Sequence, residues 1–209
     1  MKIICYNIHK GMDSYNKITL HKIISYLKSL DADFICLQEV LYSQFIIMKS
    51  CLKKKGVFAA NVNNEKMKFG VCIFSKYNIE KSDHVFLTSK KEQRGFLCIT
   101  SNINDNVKIN IINTHLGLDK DERANQIDEI LEYIDGLDEK NILCGDFNEK
   151  NICISDLIDS AVYLEKYNPT YKTARIDYIF CSKNCIPEDF FVNVINLSDH
   201  FPIISIIKT

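Results

Sequence analysis

Asn141-Ile142-Leu143-Cys144-Gly145-Asp146-Phe147-Asn148 reads as a short buried strand that stops at a glycine and delivers an acid and an amide into the turn beyond it. The same construction recurs along the chain. Residues 2–6 are an apolar run ending at Asn7, and residues 34–37 run into Gln38 and Glu39. Residues 107–114 lead to His115, and the strand-like stretch 190–195 precedes Ser198, Asp199 and His200. Strand ends in α/β folds gather on one rim, where side chains far apart in sequence meet in a cleft.

Between these strands lie helical patterns. Leu20, Ile23, Ile24, Leu27 and Leu30 recur at helical spacing, and a less regular pattern runs through Phe45, Ile46 and Met48. Ala124, Ile127, Ile130, Leu131 and Ile134 mark a third helix, acidic at its start as the helix dipole prefers and ending near Gly136. A fourth helix is expected after Ser155. Further strands are expected at 71–74, 85–87, 176–181 and 201–207, with a hairpin of 96–103 and 107–114 turning at Asn104, Asp105 and Asn106. Strands with interspersed helices imply mixed sheets covered by helices, although periodicity alone leaves several α/β arrangements open.

Composition narrows the function classes. The chain has 209 residues, 46% of them hydrophobic, which suits one domain spanning 1–209 with a substantial core. With 26 basic and 27 acidic residues the formal charge is −1, so no global field draws the protein onto nucleic acid or an anionic membrane. A polyanionic substrate must be held locally. The cysteines number nine, and Cys5, Cys36, Cys72, Cys98 and Cys144 sit inside apolar runs as small hydrophobes, which points to a reducing compartment. Cys181 and Cys185 have no second pair with which to hold zinc. No stretch is long enough to cross a bilayer, and a strand that begins at Lys2 leaves no room for a signal peptide, so a cytoplasmic monomer is expected if the source is bacterial.

The residues at the strand ends suit the hydrolysis of a phosphate ester. Carboxylates such as Glu39 and Asp146 bind a hard cation, which neutralises phosphate charge and lowers the pKa of its bound water. His200 can take a proton from water, with Asp177 as the carboxylate that fixes its tautomer. Asn7 and Asn148 can orient ligands without adding charge. Singly, each has a plainer reading: Asn7 as a turn former, residues 145–148 as a turn, Asp199 as a cap, Glu39 as a solvated strand end, His115 as a satisfied core histidine. The joint placement behind apolar strands argues against all of these at once.

Taken in order, Tyr6-Asn7-Ile8, Leu37-Gln38-Glu39, the stretch 70–76, Arg94-Gly95, Thr114-His115-Leu116, Gly145-Asp146-Phe147-Asn148, Arg175-Ile176-Asp177-Tyr178 and Ser198-Asp199-His200 resemble the endonuclease/exonuclease/phosphatase superfamily over nearly the whole chain. The resemblance implies a deoxyribonuclease I-like α/β fold: a four-layer αββα sandwich of two packed mixed sheets flanked by helices. It implies Mg2+ or Mn2+ as cofactor. Glu39 would be the principal metal ligand, with Asn7 and Asp199 near it and Asp146 as second ligand or nucleophile-orienting group. His200 with Asp177 would be the base pair, Asn148 would orient the scissile phosphate, and His115 would bind it or assist the leaving group.

Departures from the pattern narrow the branch. Thr114-His115-Leu116 differs from the tyrosine-containing motif of abasic-site endonucleases, and the ordinary Arg175-Ile176-Asp177-Tyr178 differs from the inositol-polyphosphate phosphatases. The run 115–118 followed by Arg123 and Gln126 is similar to small bacterial members of unassigned substrate. Arg94 and Arg123 are candidates to contact the substrate phosphate, while Arg123 alone reads equally as a solvated helix residue. The expected activity is a phosphodiesterase on nucleic acid, a nucleotide or a lipid head group. A phosphomonoesterase on the same site, and a non-catalytic binding module, are the rivals.

Overall fold

The structure is a computed structural model that describes residues 1–104, 107–137 and 140–209. In chain order the elements are β1 (Lys2–Asn7), α1 (Leu20–Leu30), β2 (Phe34–Leu41), α2 (Tyr42–Leu52), β3 (Lys55–Asn63), β4 (Lys68–Ser75), β5 (Ile79–Phe86) and β6 (Gly95–Asn104). They continue with β7 (Val107–His115), α3 (Lys120–Asp135), β8 (Lys140–Asp146), β9 (Leu157–Asp159), α4 (Ser160–Tyr163), β10 (Asp177–Ser182), β11 (Ile186–Val192) and β12 (Ile203–Lys208).

The strands form two six-stranded sheets, ordered β11-β12-β1-β2-β4-β3 and β5-β6-β7-β8-β10-β9. Each has one parallel pair at its centre, β1 with β2 and β7 with β8, and antiparallel neighbours on both sides. A parallel pair needs a crossover, which α1 and α3 supply. Alternation along the strands then divides the core. Ile3 and Cys5 of β1 meet Ile109, Ile111, Ile142 and Cys144 of the other sheet, while Ile4 and Tyr6 lie with Ile23, Ile24 and Leu27 of α1. On the far side Ile112, Leu143 and Phe180 pack with Ile130 and Ile134 of α3. The result is the expected helix–sheet–sheet–helix sandwich, and its central strands are apolar on both faces because both faces are covered. Cys5, Cys36, Cys72, Cys98 and Cys144 are buried free thiols in these layers.

Several expectations shift. Strand β3 carried no sequence signal, because Lys55-Gly56 opens it and Ala59, Ala60 and Asn61 dilute its alternation; it is an edge strand that needs only one paired side. β5 begins at Ile79, well before the expected 85–87, since exposed Glu80, Lys81 and Ser82 of another edge strand hid its start. The helix expected after Ser155 is the short strand β9 followed by the single turn α4, capped by Asp159. Asp105 and Asn106 of the expected hairpin turn lie outside the described residues. No helix among the described residues is long and apolar enough to cross a membrane.

Candidate active site

The register of the second sheet builds one wall of the site. His115, the last residue of β7, lies opposite Asp146, the last of β8, and Asp146 lies opposite Asp177, the first of β10. Directly paired residues point to the same face, so one imidazole and two carboxylates stand in a row. Gly145 is what lets the strands close up here: a Cβ on it would lie 2.2 Å from the Thr114 carbonyl oxygen. Asn7 at the end of β1 faces this row from the other sheet.

Glu39 reaches the site differently from the expectation that it sits at a strand end. β2 continues to Leu41, and its register against β4 jumps between Leu37 and Val40, so Gln38 and Glu39 form a bulge in which Glu39 has φ 54°. Bulges re-aim side chains, and a left-handed glutamate is a strained one. The turn after Ser198, whose hydroxyl donates to the Asn7 carbonyl at 2.8 Å, brings in Asp199 and His200.

Asp146 Oδ2 is the point of convergence. Asn7 Nδ2 donates to it at 3.0 Å, and both His115 Nε2 and His200 Nε2 lie 3.6 Å away. Its other oxygen accepts from the Asn148 backbone N–H at 2.9 Å. Behind His200, Nδ1 is 2.9 Å from Asp177 Oδ2. Asp146, Asp177 and His200 thereby bring one ligand-capable atom each within 4.8 Å of one another, all buried. Above this buried tier lies a more open one. Glu39 is 3.5 Å from Asn7 Nδ2, and His9 Nδ1 sits between Glu39 Oε2 at 3.7 Å and Asp199 Oδ1 at 3.6 Å. Both tiers open into a cleft of about 410 Å³ whose lining includes Lys10, Phe69, Arg94 and Tyr171.

The electrostatics follow from burial and charge. Burial, then the neighbouring Asp177, pushes Asp146 up to about 7 against the opposing pull of His200 and Asn7. For His200 burial works against the charged form, but Asp177, Asp146 and Asp199 outweigh it and lift the imidazole to about 10. Burial, then the cations Arg94, His200 and Lys10, drives His115 the other way, well below the ordinary histidine range. The two histidines are therefore electrostatic opposites.

The structure brings Asn7, Glu39, Arg94, His115, Asp146, Asn148, Asp177, Asp199 and His200 to one end of the sandwich. Arg123 does not line the cleft: its guanidinium is taken by the Glu149 carboxylate and, at 3.3 Å, by the Gly117 carbonyl. His9, Lys10 and Tyr171 were not anticipated. His9 and Lys10 follow Asn7-Ile8 directly and turn back toward Glu39 with φ 44° and 53°, so their closeness to a motif residue was the available signal. Tyr171, whose ring lies 4.7 Å from that of His200, sits in an irregular loop that gives no periodic cue.

The sequence model of the endonuclease/exonuclease/phosphatase family matches residues 4–200. The chain belongs to this family. A comparison with curated protein sequences finds no match. Among solved structures, a functionally unknown conserved protein from Enterococcus faecalis V583 superposes with a TM-score of 0.85 at 18% identity, covering 100% of this chain and 99% of that one. A mannosyl-6-phosphatase from Bacteroides thetaiotaomicron VPI-5482 gives 0.82 at 18% identity, with 100% of both chains covered. D. rerio TDP2 complexed with single-strand DNA product gives 0.84 at 18% identity, covering 100% and 99%. At these identities the likeness to these three structures is one of fold.

Proposed function

We propose that the protein is a divalent-metal-dependent phosphodiesterase that hydrolyses its substrate by in-line attack of water. The observation that carries this reading is the convergence of Asn7, His115 and His200 on one oxygen of buried Asp146, beside the more open carboxylates Glu39 and Asp199. The carboxylates among these, Asp146, Glu39 and Asp199, are hard oxygen donors, which suit Mg2+ or Mn2+. Glu39 and Asp199, with Asp146 behind, are the residues that would hold the ion, together with the amide oxygen of Asn7, which here accepts from the His9 backbone N–H at 3.0 Å. When bound it would neutralise phosphate charge and acidify a water.

The remaining chemistry belongs to the protein. Asp177 can only accept, so it keeps a proton on His200 Nδ1 and leaves Nε2 as the nitrogen that exchanges one with the attacking water. The carboxylates that raise the proton affinity of His200 also stabilise the imidazolium formed. Asp199, one of them, is also among the residues that would hold the ion. Asp146 aligns the water, and Asn148, fixed beside it with φ 51°, orients the phosphate.

Initial rates on bis(p-nitrophenyl) phosphate, with Mg2+ or Mn2+ and with a chelator, test the reading. Ion-dependent cleavage is expected; equal rates in chelator would refute metal dependence. A phosphomonoesterase is favoured by Lys10, whose cation at the cleft mouth suits a dianionic ester, and by the sugar-phosphate activity named for the B. thetaiotaomicron neighbour. A higher rate on p-nitrophenyl phosphate than on the diester would select that alternative.

A further inference from the structure

His115 and His200 present the same atom, Nε2, to the same oxygen, yet their far nitrogens meet opposite partners. His200 Nδ1 faces a carboxylate, whereas His115 Nδ1 lies 3.2 Å from Arg94 Nη1. A guanidinium has hydrogen-bond donors and no acceptor, and it does not give up its proton in a protein. Nδ1 of His115 must therefore offer a lone pair, because a proton there would set N–H against N–H in a buried place. The ring's proton is left on Nε2, which points into the cleft.

Arg94 is held too firmly to serve as a mobile clamp. Its backbone N–H donates to Ser89 Oγ at 2.9 Å, and its carbonyl accepts from Leu87 N at 3.0 Å and Gln93 Nε2 at 2.8 Å. Its side chain is only 10% exposed, and Nη1 also reaches Glu92 Oε1 at 2.8 Å. That nitrogen is thus held between the Glu92 carboxylate and His115 Nδ1.

We propose that Arg94 is a positioning residue that locks His115 in the Nε2–H tautomer, making His115 a neutral, fixed donor to a non-bridging oxygen of the phosphoryl group. This rests on the phosphoester-hydrolase reading above and assigns the two histidines different work: His200 exchanges a proton, and His115 donates a hydrogen bond without exchanging one. A pre-aimed donor of this kind stabilises charge as it develops, without reorganisation.

The test uses the full chain with 15N-labelled histidine, His115 being assigned by loss of its signals in His115→Gln. Nitrogen shifts in wild type are expected to show a protonated Nε2 and a bare Nδ1; the reverse pattern would overturn the proposal whether or not the protein hydrolyses anything. Arg94→Met keeps the length and apolar stem but removes the donor. With folding checked by thermal unfolding, it should mix the tautomers and lower kcat roughly tenfold to hundredfold while KM stays within about twofold. Arg94→Lys, which restores an obligatory donor, should recover part of the loss. In a His115→Gln background Arg94→Met should cost little more. A rise in KM that persists in that background would instead make Arg94 a substrate clamp and refute the positioning role. Absence of any phosphoesterase activity in wild type, with the tautomer pattern intact, would refute the proposed function alone.

Discussion

Asp146 and Asp177 stand directly opposite each other across the β8–β10 pair, each about 1% exposed. Two buried carboxylates so placed cannot both stay ionised without a counter-charge, and His200, bonded to one and facing the other, supplies it. Replacing Asp177 with Asn removes the negative charge beside Nδ1 and puts an amide donor within reach. Asp177→Asn is thus expected to lower kcat by roughly a hundredfold to ten-thousandfold on a diester substrate, with metal affinity unchanged. Steady-state kinetics beside a metal titration would check this, and a variant with undiminished kcat would remove Asp177 from the base pair.

The same contacts predict a pH dependence of stability. The folded protein lifts His200 from its ordinary 6.5 to about 10, so folding takes up a proton between those values. Its contribution is complete below about pH 6.5 and is lost as pH rises toward about 10. In chelator, the advantage of wild type over His200→Asn in urea midpoint should shrink steadily across that window. An advantage that stays level from pH 6.5 to pH 10 would mean that the ion pair with Asp177 does not govern the proton on His200.

The central strands were legible because burial on both faces writes an uninterrupted apolar run, as at residues 141–144. The edges were not: β3 and the start of β5 satisfy only one side of their backbone, and their exposed Lys55, Asn63, Glu80 and Lys81 read as loop. At the site, Asp146 and His115 could be placed from the strands they end. The bulge that turns Glu39 inward could not, since it is set by how β2 pairs with a strand some thirty residues later. The fate of Arg123 also lay beyond the sequence, because Glu149, whose carboxylate takes its guanidinium, meets it only in the folded chain.

Glu39 carries opposing demands, and substitutions can separate them. Its carboxylate faces the open tier and is 20% exposed, so Glu39→Gln should fold normally while weakening Mg2+ or Mn2+ binding, measured by calorimetric titration, by about tenfold or more. Its backbone, at φ 54°, is one that glycine adopts freely. Glu39→Gly should therefore lose the ion equally yet be more stable in urea unfolding, by about 0.5 to 1 kcal/mol. A glycine variant less stable than wild type would show that the bulge is not strained.

Gly145 makes the converse case, a residue chosen for space. Any Cβ there meets backbone on β7, 2.2 Å from the Thr114 oxygen, and backbone in a central parallel pair has nowhere to go. Gly145→Ala is expected to cost about 1 to 3 kcal/mol in urea unfolding, at the upper end because no flexible side chain can give way. Activity should fall further than stability alone explains: pushing β7 and β8 apart moves His115 away from Asp146, its direct partner one residue on, and opens the 3.6 Å approach of Nε2 to Oδ2. Kinetics at a temperature where the variant is fully folded isolate that effect, and a folded variant with wild-type kcat would show that the spacing of these two strand ends does not control the chemistry.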